Sequence, residues 1–169
     1  MSNQKPLKIE LEGSKREFEL FETRIKNESQ LSRISYISCG QTVRQLGPNR
    51  FQPIRGNVDF VLGIDGAIAI LDAKVTHERV WNLKKYVTHP SKIHQWAQLI
   101  AAHGNGNLSG YMIWFCEYQK IVWAPTSAIH KIMENGGLSV YPESPGFTSQ
   151  PDSVPIDFRG LICTVTKKQ

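Results

Sequence analysis

Two aspartates and a lysine flank a predicted hairpin turn with a spacing that could bind a metal ion. Asp65-Gly66 lies between two apolar runs, and this dipeptide is typical of a type I′ turn, which needs positive φ at both residues. Pairing outward from the turn places Asp59 opposite Asp72, with Lys74 on the same face of the sheet. Opposed carboxylates about 5 Å apart repel each other. The spacing therefore predicts a cation between them, with a lysine beside it.

The second strand of this hairpin indicates that the charges are not simply solvated. Residues 67–75 read AIAILDAKV, which is apolar on both faces and typical of a strand inside a sheet. Charges at the end of a buried strand are costly unless they are paired or bind a metal. A shift in register by one residue would separate Asp59 from Asp72. An exposed hairpin with scattered charges is the simpler alternative.

The chemistry that suits these residues is metal-assisted hydrolysis of a phosphodiester. Mg²⁺ prefers oxygen ligands and usually binds through one or two carboxylates together with substrate phosphate, and Mn²⁺ could substitute for it. Lys74 could orient or help deprotonate the attacking water, or neutralise charge in the transition state. The Ala73 carbonyl is a further candidate ligand. A further acid could come from the first helix, which carries Glu17, Glu19 and Glu22.

The remaining elements predict an α/β fold with a mixed central β-sheet flanked by helices. An amphipathic helix over 15–31 follows Gly13-Ser14, and Glu17 has the capping-box spacing. Strands are predicted at 33–38, 111–115 and 121–124 in addition to the hairpin, and helices at 92–104 and 128–135. The core side of the helix over 92–104 is predicted from its apolar residues: Ile93, Trp96, Ala97 and Ile100.

Composition predicts one globular domain over residues 1–169. The chain has 40% hydrophobic and 21% charged residues, and its net charge of +5 favours a polyanionic partner. Residues 40–57 form a basic, arm-like connection, and residues 142–169 are predicted to be irregular, with short extended pieces at PIDF and LICTV. No signal peptide or membrane-spanning run is present in the sequence, which predicts a cytoplasmic protein without a membrane partner.

The cysteine and histidine spacing predicts no zinc site. The cysteines are widely separated and form no CxxC pair, which indicates a reducing compartment and argues against a disulfide framework or thiolate zinc site. They are Cys39, Cys116 and Cys163. Three histidines lie between residues 89 and 103, but without an HExxH pattern or a cysteine partner.

Basic residues in three places could contact DNA phosphates. Such contacts position DNA without reading its bases, and they make affinity depend on salt. A solvated polar surface is the alternative for each residue. The candidates are Arg44, Arg50 and Arg55 in the arm, Lys84 and Lys85 after the hairpin, and Lys92 at the start of a helix.

Several motifs occur in an order that resembles a known family. VDF at 58–60 and DAK at 72–74 resemble the PD-(D/E)XK nuclease signature, with Val58 in place of proline. The segment around His94-Gln95, followed by Gly110 and Phe115, resembles RecU-type Holliday junction resolvases. GSKRE at 13–17 is similar to the start of their first helix, and PIDFRG to a late segment, with its arginine after rather than before. The resemblance runs from about residue 13 to 160.

This resemblance implies a PD-(D/E)XK core and a homodimeric, Mg²⁺-dependent endonuclease that resolves four-way DNA junctions in recombination and repair. It implies that Asp59, Asp72 and Lys74 are catalytic, that Glu17 is a supplementary metal ligand, and that Gln95 lies near the site. The chain has Asp72 where the family commonly has Glu, a shorter arm and no basic N-terminal extension, as a compact bacterial or phage enzyme would. Another PD-(D/E)XK nuclease, or a DNA-binding protein of the same fold without activity, stays open.

Overall fold

The computed structural model describes residues 15–38, 43–47, 50–53 and 58–163, with the backbone alone over 43–47 and 50–53. The helices are α1 (Lys15–Leu31), α2 (Leu83–Tyr86), α3 (Ile93–Gly104) and α4 (Thr126–Glu134), with a 3₁₀ turn at Cys116–Tyr118 and a π-helical turn at Arg159–Cys163. The strands are β1 (Ser35–Ser38), β2 (Val43–Gly47), β3 (Arg50–Pro53), β4 (Phe60–Ile64), β5 (Ala67–Thr76), β6 (Trp81–Asn82), β7 (Leu108–Phe115), β8 (Lys120–Pro125), β9 (Ser139–Val140) and β10 (Thr148–Pro151).

A six-stranded mixed sheet lies at the centre of the fold, in the order β1-β4-β5-β7-β8-β10. β5 and β7 are parallel, and all other neighbours are antiparallel. One face packs against α1 through Phe21 and Ile25. The other face packs against α3 and α4 through residues that include Leu99 and Ile129. The predicted fold class, a mixed sheet flanked by helices, is therefore confirmed.

The hairpin of β4 and β5 has the predicted register. Ile64 pairs with Ala67 and Val61 with Ile70. The turn residues have positive φ, 49° at Asp65 and 85° at Gly66, as a type I′ turn requires. β5 lies between β4 and β7, and all of its side chains except that of Ile68 are buried or partly buried, which agrees with its apolar sequence. This register fixes the face on which every later residue of β5 lies.

β5 extends beyond β4, and this opens one edge of the sheet. The last pair between the two strands is Phe60 with Leu71, whereas β7 accompanies β5 as far as Thr76. From Asp72 onward, β5 therefore has a strand on one side only within the described residues. Side chains alternate along β5, so Ala73 and Val75 pack on the α1 side while Asp72 and Lys74 lie on the α3 side. The open edge is where a site can form.

Three regions differ from the sequence prediction. Residues 40–57 contain the antiparallel ribbon of β2 and β3. Within 142–169, Thr148–Pro151 joins the sheet as β10, and a π-helical turn replaces an extended start of LICTV. In α3 the buried residues are Trp96, Leu99 and Ala102, whereas Ile93 is 44% exposed. No helix in the described ranges is long and apolar enough to cross a membrane.

Candidate functional site

Asp59 and Asp72 meet at the open edge of β5. Asp59 directly precedes β4, and its Oδ2 accepts a hydrogen bond of 2.8 Å from the backbone N–H of Ala73. β4 no longer pairs with β5 at this point, so the Asp59 carboxylate takes the place of a strand partner for the Ala73 N–H. The bond places the carboxyl group of Asp59 next to Asp72. Asp72 is fully buried. The turn at the far end of the hairpin thus determines where both carboxylates lie.

The two carboxyl groups are electrostatically strained. Burial, and then the neighbouring Asp72 carboxylate, raises the pKa of Asp59 to about 8, and Lys74 opposes this shift. Two carboxylates this close cannot both ionise at low cost unless a cation compensates them. Two adjacent carboxyl groups, one fully buried and one partly buried, offer oxygen ligands that fit a hard divalent cation.

Both oxygens of Asp72 are held by neighbouring side chains. Lys74 Nζ forms an ion pair with Asp72 Oδ2, and Gln95 Nε2 donates a hydrogen bond of 3.1 Å to Asp72 Oδ1. The side chain of Lys74 is only 15% exposed. The Oε1 atom of Gln95 is buried and has no hydrogen-bond partner within the described residues. The site therefore contains a fixed carboxylate, a partly buried cation and an available acceptor.

The glutamates of α1 occupy different positions relative to this site. Burial, then Glu19 and Asp72, raises the pKa of Glu22, while Lys74 lowers it. Glu22 is thus within electrostatic reach of the aspartate site. Glu17 instead contacts His77, with 3.0 Å between Oε1 and Nε2. The assignment of Glu17 to the same metal, and of the Ala73 carbonyl, stays a prediction.

A cleft of about 560 Å³ opens over the aspartates. Asp59, Lys74 and Gln95 belong to its lining, while Asp72 is buried behind them. Three further lysines line the same cleft: Lys15, Lys85 and Lys92. Lys15 was not a predicted DNA contact, although it lies in the GSKRE segment that the family resemblance covers. The acidic pair therefore shares its cleft with lysines, which is the kind of lining that a phosphate-binding site needs.

Two of the predicted DNA contacts, Lys84 and Lys85, line a second cleft, and the side chains of the three arm arginines are not described. Lys84 is exposed, and this second cleft has a volume of about 770 Å³. Lys85 Nζ bonds Glu78 Oε1 at 2.9 Å and lies 4.7 Å from the ring centre of Tyr86. Arg44 and Arg50 lie on the ribbon of β2 and β3, of which only the backbone is described, and Arg55 lies outside the described residues.

A second group of side chains, of types that can ligate a metal, lies on α1 and just beyond the ends of β5 and β7. Glu17, His77 and Cys116 each offer one ligand atom, and these atoms all lie within 4.8 Å of one another. Burial, and then Glu17 and Asp152, raises the pKa of Cys116 to about 11. Sequence spacing predicted no thiolate or histidine metal site, because these residues are far apart in the chain and only the fold brings them together.

Comparison with known proteins finds similarity only among solved structures. No protein-family model matches the chain, and no curated protein matches it. Among solved structures, the chain is similar to Hjc, a Holliday junction resolvase from the archaeal hyperthermophile Archaeoglobus fulgidus. The two are 15% identical, the match covers 65% of this chain and 78% of that chain, and the TM-score is 0.45. What this chain does must therefore be inferred from its own residues.

Proposed function

We propose that the protein is a metal-dependent DNA endonuclease of the PD-(D/E)XK type that resolves four-way junctions by paired nicks. The observation that carries this proposal is the buried carboxylate of Asp72, held by Lys74 and Gln95 beside Asp59 at the base of a lysine-lined cleft. This arrangement combines ligands for a metal, a cation at those ligands and a surface for phosphates. A protein that only bound DNA would gain nothing from two adjacent carboxylates, one of them fully buried, because such a pair is costly in itself.

Mg²⁺, or Mn²⁺ in its place, fits the donor set of this site. Asp59 and Asp72 supply carboxylate oxygens, the Ala73 carbonyl is a further candidate, and Glu22 is the α1 carboxylate within electrostatic reach. Oxygen ligands without sulfur or imidazole select hard cations. When bound, the ion would polarise the scissile phosphate and stabilise charge on the attacking and leaving oxygens.

The side chains around Asp72 have separable tasks in this proposal. Gln95 holds the orientation of Asp72 from α3, and its buried Oε1 can accept a hydrogen bond from a water molecule or from DNA. Lys74 keeps a positive charge at the carboxylates, where it can orient the attacking water or neutralise charge on the phosphate. The Ala73 N–H anchors Asp59.

The lysines of the cleft provide a test of DNA binding. We expect Lys92→Ala to weaken binding to junction and duplex DNA alike and to reduce the slope of log affinity against log salt by about 1, because one phosphate contact is lost. Lys92 is the N-cap of α3 but makes no side-chain capping bond, so the substitution should leave the helix intact. The measurement is fluorescence anisotropy at several salt concentrations.

Lys131→Ala is the matched control for Lys92→Ala. It removes the same charge from an exposed position on α4, outside the lining of the cleft. If Lys131→Ala lowered the slope as much as Lys92→Ala, net charge rather than the cleft would govern binding, and the placement of DNA in the cleft would be wrong.

The preference for a four-way junction is supported by the order of the sequence motifs along the chain. Two symmetric nicks also require two copies of the site, which a homodimer supplies. Another nuclease of the same superfamily, acting on duplex or on ends, would have the same aspartates and lysine. Substrate choice separates these alternatives.

The deciding experiment is a cleavage assay with Mg²⁺ on a labelled four-way junction and a linear duplex of the same sequence. Symmetric nicks in the junction, with the duplex intact, are the expected result. Equal cutting of both substrates would replace the resolvase by a general nuclease. Binding of the junction without any cleavage, in Mg²⁺ or Mn²⁺, would favour a DNA-binding protein of this fold.

A further inference from the structure

Three side chains from distant parts of the chain converge where α1 crosses the ends of two strands. Glu17 lies in the first turn of α1, His77 directly follows β5, and Cys116 directly follows β7. One oxygen, one nitrogen and the sulfur lie within 4.8 Å of one another, and the Glu17–His77 contact is 3.0 Å. All three residues are partly buried. Ligand atoms at these separations need only small side-chain movements to surround one ion.

The donor set differs in kind from that of the aspartate site. Thiolate and imidazole groups favour Zn²⁺ and related transition metals, which bind sulfur and nitrogen well, whereas Mg²⁺ selects oxygen. A carboxylate with a histidine and a cysteine gives three protein ligands, which leaves one position of a tetrahedral zinc ion for water. The two groups of residues would therefore select different metals.

The cluster also lies on a different side of the sheet. Side chains alternate along β5, so His77 continues the series of Ala73 and Val75, which pack on the α1 side, whereas Asp72 and Lys74 lie on the other. His77 also lines the open cleft of about 770 Å³, together with Glu117. The His77 side of the cluster therefore faces a cleft that the aspartates do not line.

Two acidic groups add negative charge close to the thiol of Cys116. Glu117 follows Cys116 directly, and Asp152 lies close enough to act electrostatically on the thiol. Asp152 is itself held in place, because its Oδ2 accepts a hydrogen bond of 2.8 Å from Trp114 Nε1. The cluster thus combines three ligand types with a fixed negative charge nearby.

We propose that Glu17, His77 and Cys116 form a second metal site, which binds one Zn²⁺ and fastens α1 to the ends of β5 and β7. Binding converts the thiol into a zinc-bound thiolate, and the proton of the thiol passes to the buffer. The bound ion would stabilise the fold by mass action, because the unfolded chain does not hold the three ligands together. At a concentration of Zn²⁺ about 100-fold above its Kd, the unfolding midpoint should rise by roughly 5–10 °C.

The test uses Zn²⁺ and Co²⁺ added to the purified, metal-free protein. A competition titration with a chromophoric chelator should give one tight Zn²⁺ site per chain. Co²⁺ should produce an absorption band from thiolate-to-metal charge transfer, which requires sulfur. Cys116→Ser should remove this band and weaken Zn²⁺ binding by at least about tenfold. Loss of a residue that only supports a metal ligand already weakens binding by about that much. His77→Ala should weaken Zn²⁺ binding similarly.

Cys163→Ser is the matched control, because Cys163 is also a partly buried cysteine but lies outside the cluster. It should retain the charge-transfer band and the affinity. Circular dichroism checks that each variant is folded, and the wild type alone already decides whether a thiolate site exists. Absence of the band in the wild type, or its survival in Cys116→Ser, would overturn the proposal.

The result of the Zn²⁺ and Co²⁺ test does not depend on whether the protein is a nuclease. Asp72→Asn should leave the charge-transfer band unchanged, since carboxylates do not produce it. A protein that shows the band but cuts no DNA would keep the zinc site and lose the proposed function. A protein that cuts junctions but shows no charge-transfer band would keep the proposed function and lose the zinc site.

Discussion

Replacement of Asp72 by asparagine is expected to abolish cleavage of a four-way junction while leaving binding of the junction intact or tighter. Asparagine keeps the size of the side chain but removes the charge that, with Asp59, would hold the divalent cation. Loss of the interactions that such an ion makes in the transition state is worth several kcal/mol, or about 10³-fold in rate. Binding should persist because one negative charge near the DNA phosphates is removed. Single-turnover cleavage and anisotropy measure the two effects separately.

Asp65→Asn is the matched control for this prediction. It is the same change at an exposed turn position, where asparagine also tolerates positive φ, and it loses only a surface ion pair with Arg159. Its cleavage rate should equal that of the wild type. If Asp72→Asn were folded by circular dichroism but had lost junction binding together with cleavage, the assignment of Asp72 to the metal rather than to the DNA surface would be contradicted.

The position of the aspartate site could be predicted because it depends on local turn chemistry. Asp65-Gly66 fixes the register of the hairpin, and the register alone determines that Asp59 and Asp72 share a face. The apolar run of β5 similarly identified an interior strand. Both inferences use contacts between residues close in sequence, where the periodicity of a strand is a reliable guide.

Features that depend on packing between distant elements could not be predicted in this way. Sequence spacing makes Glu17 and Glu22 equally plausible partners of the aspartates, and only the angle at which α1 crosses the sheet separates them. The predicted core face of α3 is wrong at Ile93 and Ala97, because Trp96 and Leu99 face the sheet and both of these residues are exposed. Helical periodicity limits which faces of a helix can be buried, but it does not decide between two apolar faces that overlap.

Gly110, which belongs to the same sequence motif as Gln95, is a glycine because of strand packing that the sequence did not reveal. Gly110 lies in β7 between Leu71 of β5 and Pro125 of β8. A Cβ atom at this position would lie 2.9 Å from the Cα of Pro125 and closer still to the carbonyl oxygen of Ala124. Both are backbone atoms of a paired strand, which cannot move away without disturbing the sheet.

Gly110→Ala is therefore expected to destabilise the protein by about 3 kcal/mol, the upper part of the range for overpacked cores. For a domain of this size the unfolding midpoint should fall by roughly 6–12 °C. Thermal and urea unfolding, followed by circular dichroism, measure the change. The distortion should also reach the site, because Tyr111, the next residue, pairs with Asp72 and lies beneath Lys74, with 5.9 Å from Nζ to the ring centre. Cleavage should decline even where the variant is folded.

Gly104→Ala shows whether this cost arises from the close approach of the strands rather than from the loss of a glycine. Gly104 ends α3, and a Cβ there would meet nothing within 4 Å. Alanine in this helix should raise stability by about 0.5–1 kcal/mol, since glycine is the more flexible residue in the unfolded chain. Opposite signs for the two variants are the expected result. A Gly110→Ala protein as stable as the wild type would mean that β7 and β8 do not approach as closely at this point as the fold requires.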